Sequence, residues 1–183
     1  MLNIPSLQQK TASDTNALSD NDRNKKTMGR LRIMRDFADL NALPSTCEVI
    51  QPDLSNISQF TIIISPDAGF YKNGRFIFSI DIPSDYPNQP PKVKCTQTIY
   101  HPNINLEGNV CLNILRDDWR PMLTIETVIL GLIFLFLEPN ADDPLNHDAA
   151  AILKQDRNIF KTYVDKTMAG GTFNNIQYNN VLI

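Results

Sequence analysis

Apolar and polar positions recur with different periods along the chain, and the changes of period mark its elements. Ile33, Met34, Phe37 and Leu40 stand at i, i+1, i+4 and i+7, which predicts one apolar face of a helix beginning near Thr27. Arg30, Arg32, Arg35, Asp36 and Asp39 lie off that stripe and are expected in solvent, and Pro44 forbids continuation. Period two follows. Phe76, Phe78, Ile80 and Ile82 alternate with Arg75, Ile77, Ser79 and Asp81, the pattern of a half-buried strand. Phe60, Ile62 and Ile64 alternate with Thr61, Ile63 and Ser65, with Ile63 making that strand apolar on both faces. Shorter strands are expected at 47–51 and 92–96, and Asn73-Gly74 supplies turn chemistry between the central pair. Together they read as a four-stranded antiparallel meander.

The last third is helical again. Thr124 is placed to cap a helix through Leu137, apolar nearly all round and therefore expected to be buried. Asn146 can cap a helix over 148–155, and Asp156 another in which Ile159/Tyr163 and Phe160/Val164 form i,i+4 pairs. Gly170-Gly171 ends it. One helix, a meander, then helices is the order of an α+β fold. Residues 1–26 are dominated by Ser, Thr, Asn, Gln, Asp and Lys and read as a flexible extension, 27–171 as the folded core and 172–183 as a tail. The apolar residues Met1, Leu2, Ile4 and Leu7 at the tip suit a peptide that docks in another protein's groove.

Composition narrows the function. A net charge of −3 over 183 residues argues against non-specific nucleic-acid binding, which needs a basic surface. The longest apolar run, 128–137, is too short for the ~20 residues of a membrane span. No signal peptide is visible. Cys47, Cys95 and Cys111 are an odd number at irregular spacing beside two histidines, which argues against a disulfide framework or structural zinc and for a cytosolic or nuclear setting.

Between the last strand and the Thr124 helix lies a long stretch with little periodicity, the kind of loop that carries function. It contains Tyr100-His101-Pro102-Asn103-Ile104 and, eight residues after Asn103, Cys111, in the setting Gly108-Asn109-Val110-Cys111-Leu112-Asn113-Ile114-Leu115. With the upstream Tyr86-Pro87-Asn88-Gln89-Pro90-Pro91 and the downstream Trp119-Arg120-Pro121-Met122-Leu123-Thr124 and Asp142-Asp143-Pro144-Leu145, the sequence resembles the ubiquitin-conjugating enzymes over 28–169. LEGNVCLNILRDDWRPMLTI and FLEPNADDPLN are most similar to the branch that carries the Nedd-type (Rub) modifier, whereas the PSDYP segment is closer to the general ubiquitin type.

The resemblance implies a transferase of the ubiquitin-conjugating fold: N-terminal helix, meander, long active-site loop, buried central helix and two C-terminal helices. A thioester would arrive on Cys111 from an ATP-consuming activating enzyme and pass to a substrate lysine, on cullins in this branch, with a RING-type ligase. No cofactor or metal is implied, and a cytoplasmic and nuclear monomer is expected. Thiol exchange needs an accessible cysteine and no strong base, since a thiol of pKa ~8.5 is a few per cent thiolate at neutral pH. No Lys, Arg or His adjoins Cys111 in sequence, so an unperturbed thiol is expected. By the resemblance Asn103 would donate to the oxyanion and help hold the loop, while His101 and Pro102 would lock it. Asp143, with Leu145 as an apolar wall, would orient the incoming amine. Asn88, Pro121 and Met122 fall where relatives meet the ligase. Arg30, Arg32 and Arg35, with the Met1-Leu2-Ile4-Leu7 tip, would meet the activating enzyme, and an acetylated Met1 would be read by a co-ligase. Three rival readings are a ubiquitin-carrying enzyme of the same fold, a cysteine protease built on Cys111, Asn103 and His101 or His147, and a non-catalytic binding module.

Overall fold

The computed structural model describes residues 20–50 and 56–183. The leader tip Met1, Leu2, Ile4 and Leu7 lies outside the described residues, so the expected docking peptide has no structural account. The chain runs α1 (Asp20–Asp39), β1 (Cys47–Ile50), β2 (Gln59–Ile64), β3 (Phe76–Asp81), β4 (Lys92–Cys95), α2 (Ile125–Leu137), α3 (His147–Gln155), α4 (Arg157–Met168), β5 (Thr172–Phe173) and β6 (Ile176–Gln177). The four long strands form an antiparallel sheet in the order β1-β2-β3-β4. Its register, with Phe60 opposite Ile80 and Ile62 opposite Phe78, puts the alternating apolar set of both central strands on one face. That face packs on α2, where Phe136 stacks on Phe76 at 4.3 Å and meets Phe78 edge-on. The α+β meander-and-helices architecture expected from the sequence is the one found.

The three caps form as the sequence predicts. Thr124 Oγ1 accepts from Thr127 N–H, Asn146 Oδ1 from Ala149 N–H, and Asp156 Oδ1 from Asn158 and Ile159 N–H. α3 begins one residue earlier than expected.

Five expectations are corrected. α1 starts at Asp20 rather than near Thr27; the polar composition that suggested a tail is equally compatible with a solvated helix. Met34 is exposed, and the stripe that reaches the core is Ile33, Phe37 and Leu40. Asp36, placed off the stripe, is 1% exposed. It accepts from Arg32 Nε at 2.7 Å, from Ile125 N–H at 3.2 Å and from the Tyr86 hydroxyl, so α1, the proline loop and the start of α2 are joined at one carboxylate. α2 is not buried all round: Leu130, Phe134 and Leu137 form an exposed stripe, because the sheet covers only the opposite face. Residues 172–183 are not a tail. β5 and β6 make a hairpin turned by Asn174 and Asn175 at positive φ, and beyond it Tyr178 and Val181 are buried in the core. Val181 C=O accepts from Arg75 N–H at 2.7 Å and its N–H donates to Met168 C=O at 2.8 Å, closing the chain end onto β3 and α4.

Candidate active site

The site is built on the segment after β4. Cys95 N–H donates to Gly108 C=O at 2.8 Å, and Gly108 has φ +83° with its α-carbon so close that an added Cβ would lie 2.0 Å from Cys95 C=O. Only glycine fits this crossing, which pins the loop to the edge of the sheet. Bridges pairing Ile104 with His101 and with Val110 fold the loop back on itself, and Cys111 N–H donates to Asn103 C=O at 2.8 Å.

His101 lies fully buried beneath. Its Nδ1 accepts from Asn103 N–H at 2.9 Å, which leaves Nε2 to donate to Leu135 C=O at 3.0 Å. The ring stacks on Tyr71 at 4.9 Å, and burial pushes its pKa down to about 3. It is a neutral strut between loop and α2, with both nitrogens spent. Pro102 C=O accepts from Leu145 and Asn146 N–H, each at 2.9 Å, tying the loop to the segment entering α3.

Asn103 is also buried. Its Nδ2 donates to Asn140 C=O at 2.7 Å and Asp143 C=O at 3.1 Å, while Oδ1 accepts from Asn140 N–H at 2.9 Å. Both amide protons are therefore committed to holding the 140–143 turn. The loop-holding half of the expectation is what the geometry shows; the oxyanion half requires one of these bonds to be exchanged first.

Above this floor the structure departs from the sequence reading. Cys111 is 5% exposed, and its sulfur is bonded to two side chains that are themselves half in solvent. A 3-10 turn over Asn113–Leu115 bends the chain back, and Arg116 Nη2 donates to Cys111 Sγ at 2.9 Å and to Asp143 Oδ2 at 2.6 Å. The thiol in turn donates to the same Asp143 oxygen at 3.0 Å. Arg116 and Asp143 are 47% and 51% exposed at the side chain, so the sulfur sits just under a movable ion pair rather than in the interior. The unperturbed thiol expected from sequence is corrected. Burial, followed by the hydrogen bond to Asp143, pushes the Cys111 pKa up to about 11, although Arg116 pulls the other way. The same contacts, the thiol first and Arg116 next, hold the Asp143 carboxyl below its ordinary range. Arg116 escaped the sequence search because it stands five positions from the cysteine; the signal is a cation reached across a tight turn. Leu145, two residues after Asp143 in the chain, is exposed.

The remaining residues named from sequence divide in two. Asn88, Pro121 and Met122 are exposed, Met122 at 81%, and Trp119 Nε1 donates to Pro87 C=O at 2.8 Å, joining their two loops into one surface. Arg30 and Arg35 are exposed on α1. Arg32 is corrected: its guanidinium donates to Pro121 C=O at 2.9 Å and Leu123 C=O at 2.7 Å besides pairing with Asp36, so it braces the fold instead of standing free. Cys47 and Cys95 are partly and fully buried on β1 and β4, with burial raising each thiol to about 11.

Comparison with known proteins agrees with this geometry. The ubiquitin-conjugating enzyme family model matches residues 32–168. A Nedd8-conjugating enzyme UbcE2M of Drosophila melanogaster is 53% identical over 147 residues, 80% of this chain and 81% of its own. A NEDD8-conjugating enzyme UBC12 of Yarrowia lipolytica is 46% identical over 183 residues, 100% of this chain and 99% of its own. Among solved structures, S. cerevisiae Ubc12 superposes with a TM-score of 0.79 at 42% identity, over 88% of this chain and 93% of that one.

Proposed function

The chain belongs to the ubiquitin-conjugating enzyme family, and from that premise we propose that it accepts a NEDD8-type modifier as a thioester on Cys111 and delivers it to a lysine. The observation that carries the reading is the thiol held against Asp143 and Arg116 just beneath the surface, with no imidazole hydrogen-bonded to it among the described residues. A histidine-dependent protease needs its imidazole on the sulfur. His101 is instead occupied at both nitrogens and neutral.

In the first step Cys111 gives up its proton and its thiolate attacks the carbonyl carbon of the modifier's C-terminal thioester. The old C–S bond breaks and the activating enzyme's sulfur leaves with the electron pair and takes the proton. Acylated Cys111 has no S–H left to donate, so the Asp143 oxygen that accepted it loses one of its two donors and keeps Arg116. Loading thus opens a place on that carboxylate for the amine of the second step.

In that step the neutral lysine nitrogen attacks the thioester carbonyl carbon and forms the amide N–C bond, the acyl C–S bond to Cys111 breaks, and the departing sulfur takes the proton that the nitrogen gives up, regenerating the thiol. A lysine of pKa ~10.4 is almost wholly protonated at neutral pH, and a carboxylate alone would favour that charged form. Asp143 therefore orients the amine while Leu145 dries the approach. Asn103 steadies the oxyanion once one of its two bonds to the 140–143 turn is released.

The partner surfaces follow the same premise. A RING-type ligase would sit on Asn88, Pro121 and Met122, presenting a cullin lysine. The activating enzyme would sit on Arg30 and Arg35, with the Met1-Leu2-Ile4-Leu7 tip as a second attachment and an acetylated Met1 read by a co-ligase. Arg32 bonded to Pro121 C=O makes the two faces adjacent, which favours alternating occupancy. Three free cysteines suit a cytoplasmic and nuclear setting.

The test is to incubate the full chain with ATP, activating enzyme and either the NEDD8-type modifier or ubiquitin, then run gels with and without reductant. A reductant-sensitive adduct with the first modifier is expected, and Cys111→Ser should yield only a reductant-resistant ester. An adduct with ubiquitin alone would reassign the modifier, and no adduct with either would overturn the reading.

A further inference from the structure

The one buried carboxylate among the described residues, Asp36, takes no part in the chemistry above. It joins two loops to α1: 82–91, between β3 and β4, and 116–124, ahead of α2. Its Oδ2 accepts from the Tyr86 hydroxyl in the first loop and from Ile125 N–H at 3.2 Å, where the second loop enters α2. Its Oδ1 accepts from Arg32 Nε at 2.7 Å. The same guanidinium donates through Nη1 to Pro121 C=O at 2.9 Å and through Nη2 to Leu123 C=O at 2.7 Å, both in the second loop. Arg32 also lies over the Tyr86 ring at 5.8 Å, and a Cβ on Gly29 would stand 3.0 Å from Tyr86 C=O, so α1 backs directly onto the first loop.

Each of these loops carries part of the surface assigned above to the ligase. Asn88 is exposed on the first, and on the second Met122 is the most exposed large apolar side chain described. Neither loop belongs to the sheet, and Pro87, Pro90 and Pro91 offer the first no N–H for a ladder. Their relative position therefore depends on side-chain bonds: Trp119 Nε1 to Pro87 C=O at 2.8 Å, and the bonds of Arg32 and Asp36.

A buried charge is a poor device for stability alone, since packed apolar side chains in place of a buried ion pair often leave a fold as stable or more so. What it adds is direction. The rigid fork of a guanidinium and the two oxygens of a carboxylate set distances and angles between the segments they bond. We propose that Asp36, acting with Arg32, is a positioning residue for ligase-assisted transfer: it fixes the spacing of the Asn88 and Met122 tips so that one ligase holds both. The proposal rests on the transfer reading above and on its ligase surface.

The test follows discharge of the loaded full chain, first to free lysine without ligase and then with rising concentrations of a RING–cullin ligase. Asp36→Asn would turn an acceptor oxygen into an amide facing donors and endanger the fold, so two milder variants carry the comparison. Arg32→Lys keeps a cation beside Asp36 but cannot reach both carbonyls, and Tyr86→Phe removes one bond to the carboxylate. Both should charge, and discharge to free lysine, as the native chain does. With ligase, the half-saturating concentration should rise roughly 10-fold at similar maximal rate. Met122→Ala should raise it as well. Arg32→Lys combined with Met122→Ala should be no weaker than the more affected single variant, because Arg32 acts through that tip. A native ligase response in both mild variants overturns the proposal. So does an equal loss of charging and ligase-free discharge, which marks a purely structural role, or full additivity with Met122→Ala. If Met122→Ala leaves the ligase response intact, or if the chain does not load, the reading beneath has failed and the proposal falls with it.

Discussion

The floor and the cover of this site are made of similar polar residues arranged on opposite principles. The floor, His101 and Asn103, is buried, and each polar side-chain atom of both residues is bonded to backbone. The cover, Arg116 and Asp143, is half exposed, and its side-chain bonds are to the thiol, to each other and to the exposed Asn113 Oδ1. Buried bonds to backbone are costly to break, because the group left behind is unsatisfied away from water. An exposed pair loses little on parting, since water replaces each partner. The site thus holds the sulfur on a rigid base under a lid that a docking thioester can displace.

That contrast can be broken at its strongest point first. His101→Ala removes a stacked, fully buried ring and orphans Leu135 C=O and Asn103 N–H, and should destabilise the fold by about 3–5 kcal/mol in denaturant unfolding. Asn103→Ala should cost about 2–3 kcal/mol. It should also slow lysine discharge more than charging, because the turn carrying Asp143 is released; equal slowing of both steps would make Asn103 a purely structural residue. His101 also sets a pH signature. Its pKa lies near 3 in the fold against 6.5 in an open chain, so its contribution is complete above pH 6.5 and is lost as pH falls toward 3. Stability should decline by about 1.4 kcal/mol per pH unit in that window, and His101→Gln should flatten the slope. The cover should show the smallest effect. Arg116→Ala should change unfolding free energy by less than about 0.5 kcal/mol while altering thiol reactivity. A loss as large as that of Asn103→Ala would erase the distinction between floor and cover.

What the sequence made legible follows the range of the interactions. Caps at Thr124, Asn146 and Asp156 depend on residues two or three positions away and could be read directly. The alternation in β2 and β3 reported the sheet for the same reason. Asp36 could not be read, because the partners that allow its burial, the Tyr86 hydroxyl and Ile125 N–H, are remote in sequence. Arg32, one turn away, was misread as free for want of the same loop contacts. The C-terminal hairpin was legible in principle: Asn174-Asn175 between Phe173 and Ile176 is the chemistry of a two-residue turn. At the site, the cysteine and its loop were evident from the motif, but the cover depends on a backbone bend that no local pattern announced.

The most direct test is the pH dependence of Cys111 alkylation, resolved by mass spectrometry from Cys47 and Cys95. With the thiol bonded to Asp143 beneath Arg116, its inflection should lie near 11, fall in Asp143→Asn and rise in Arg116→Ala. An inflection near the ordinary thiol value of ~8.5, indifferent to both substitutions, would show that the cover does not rest on the sulfur and would contradict the account.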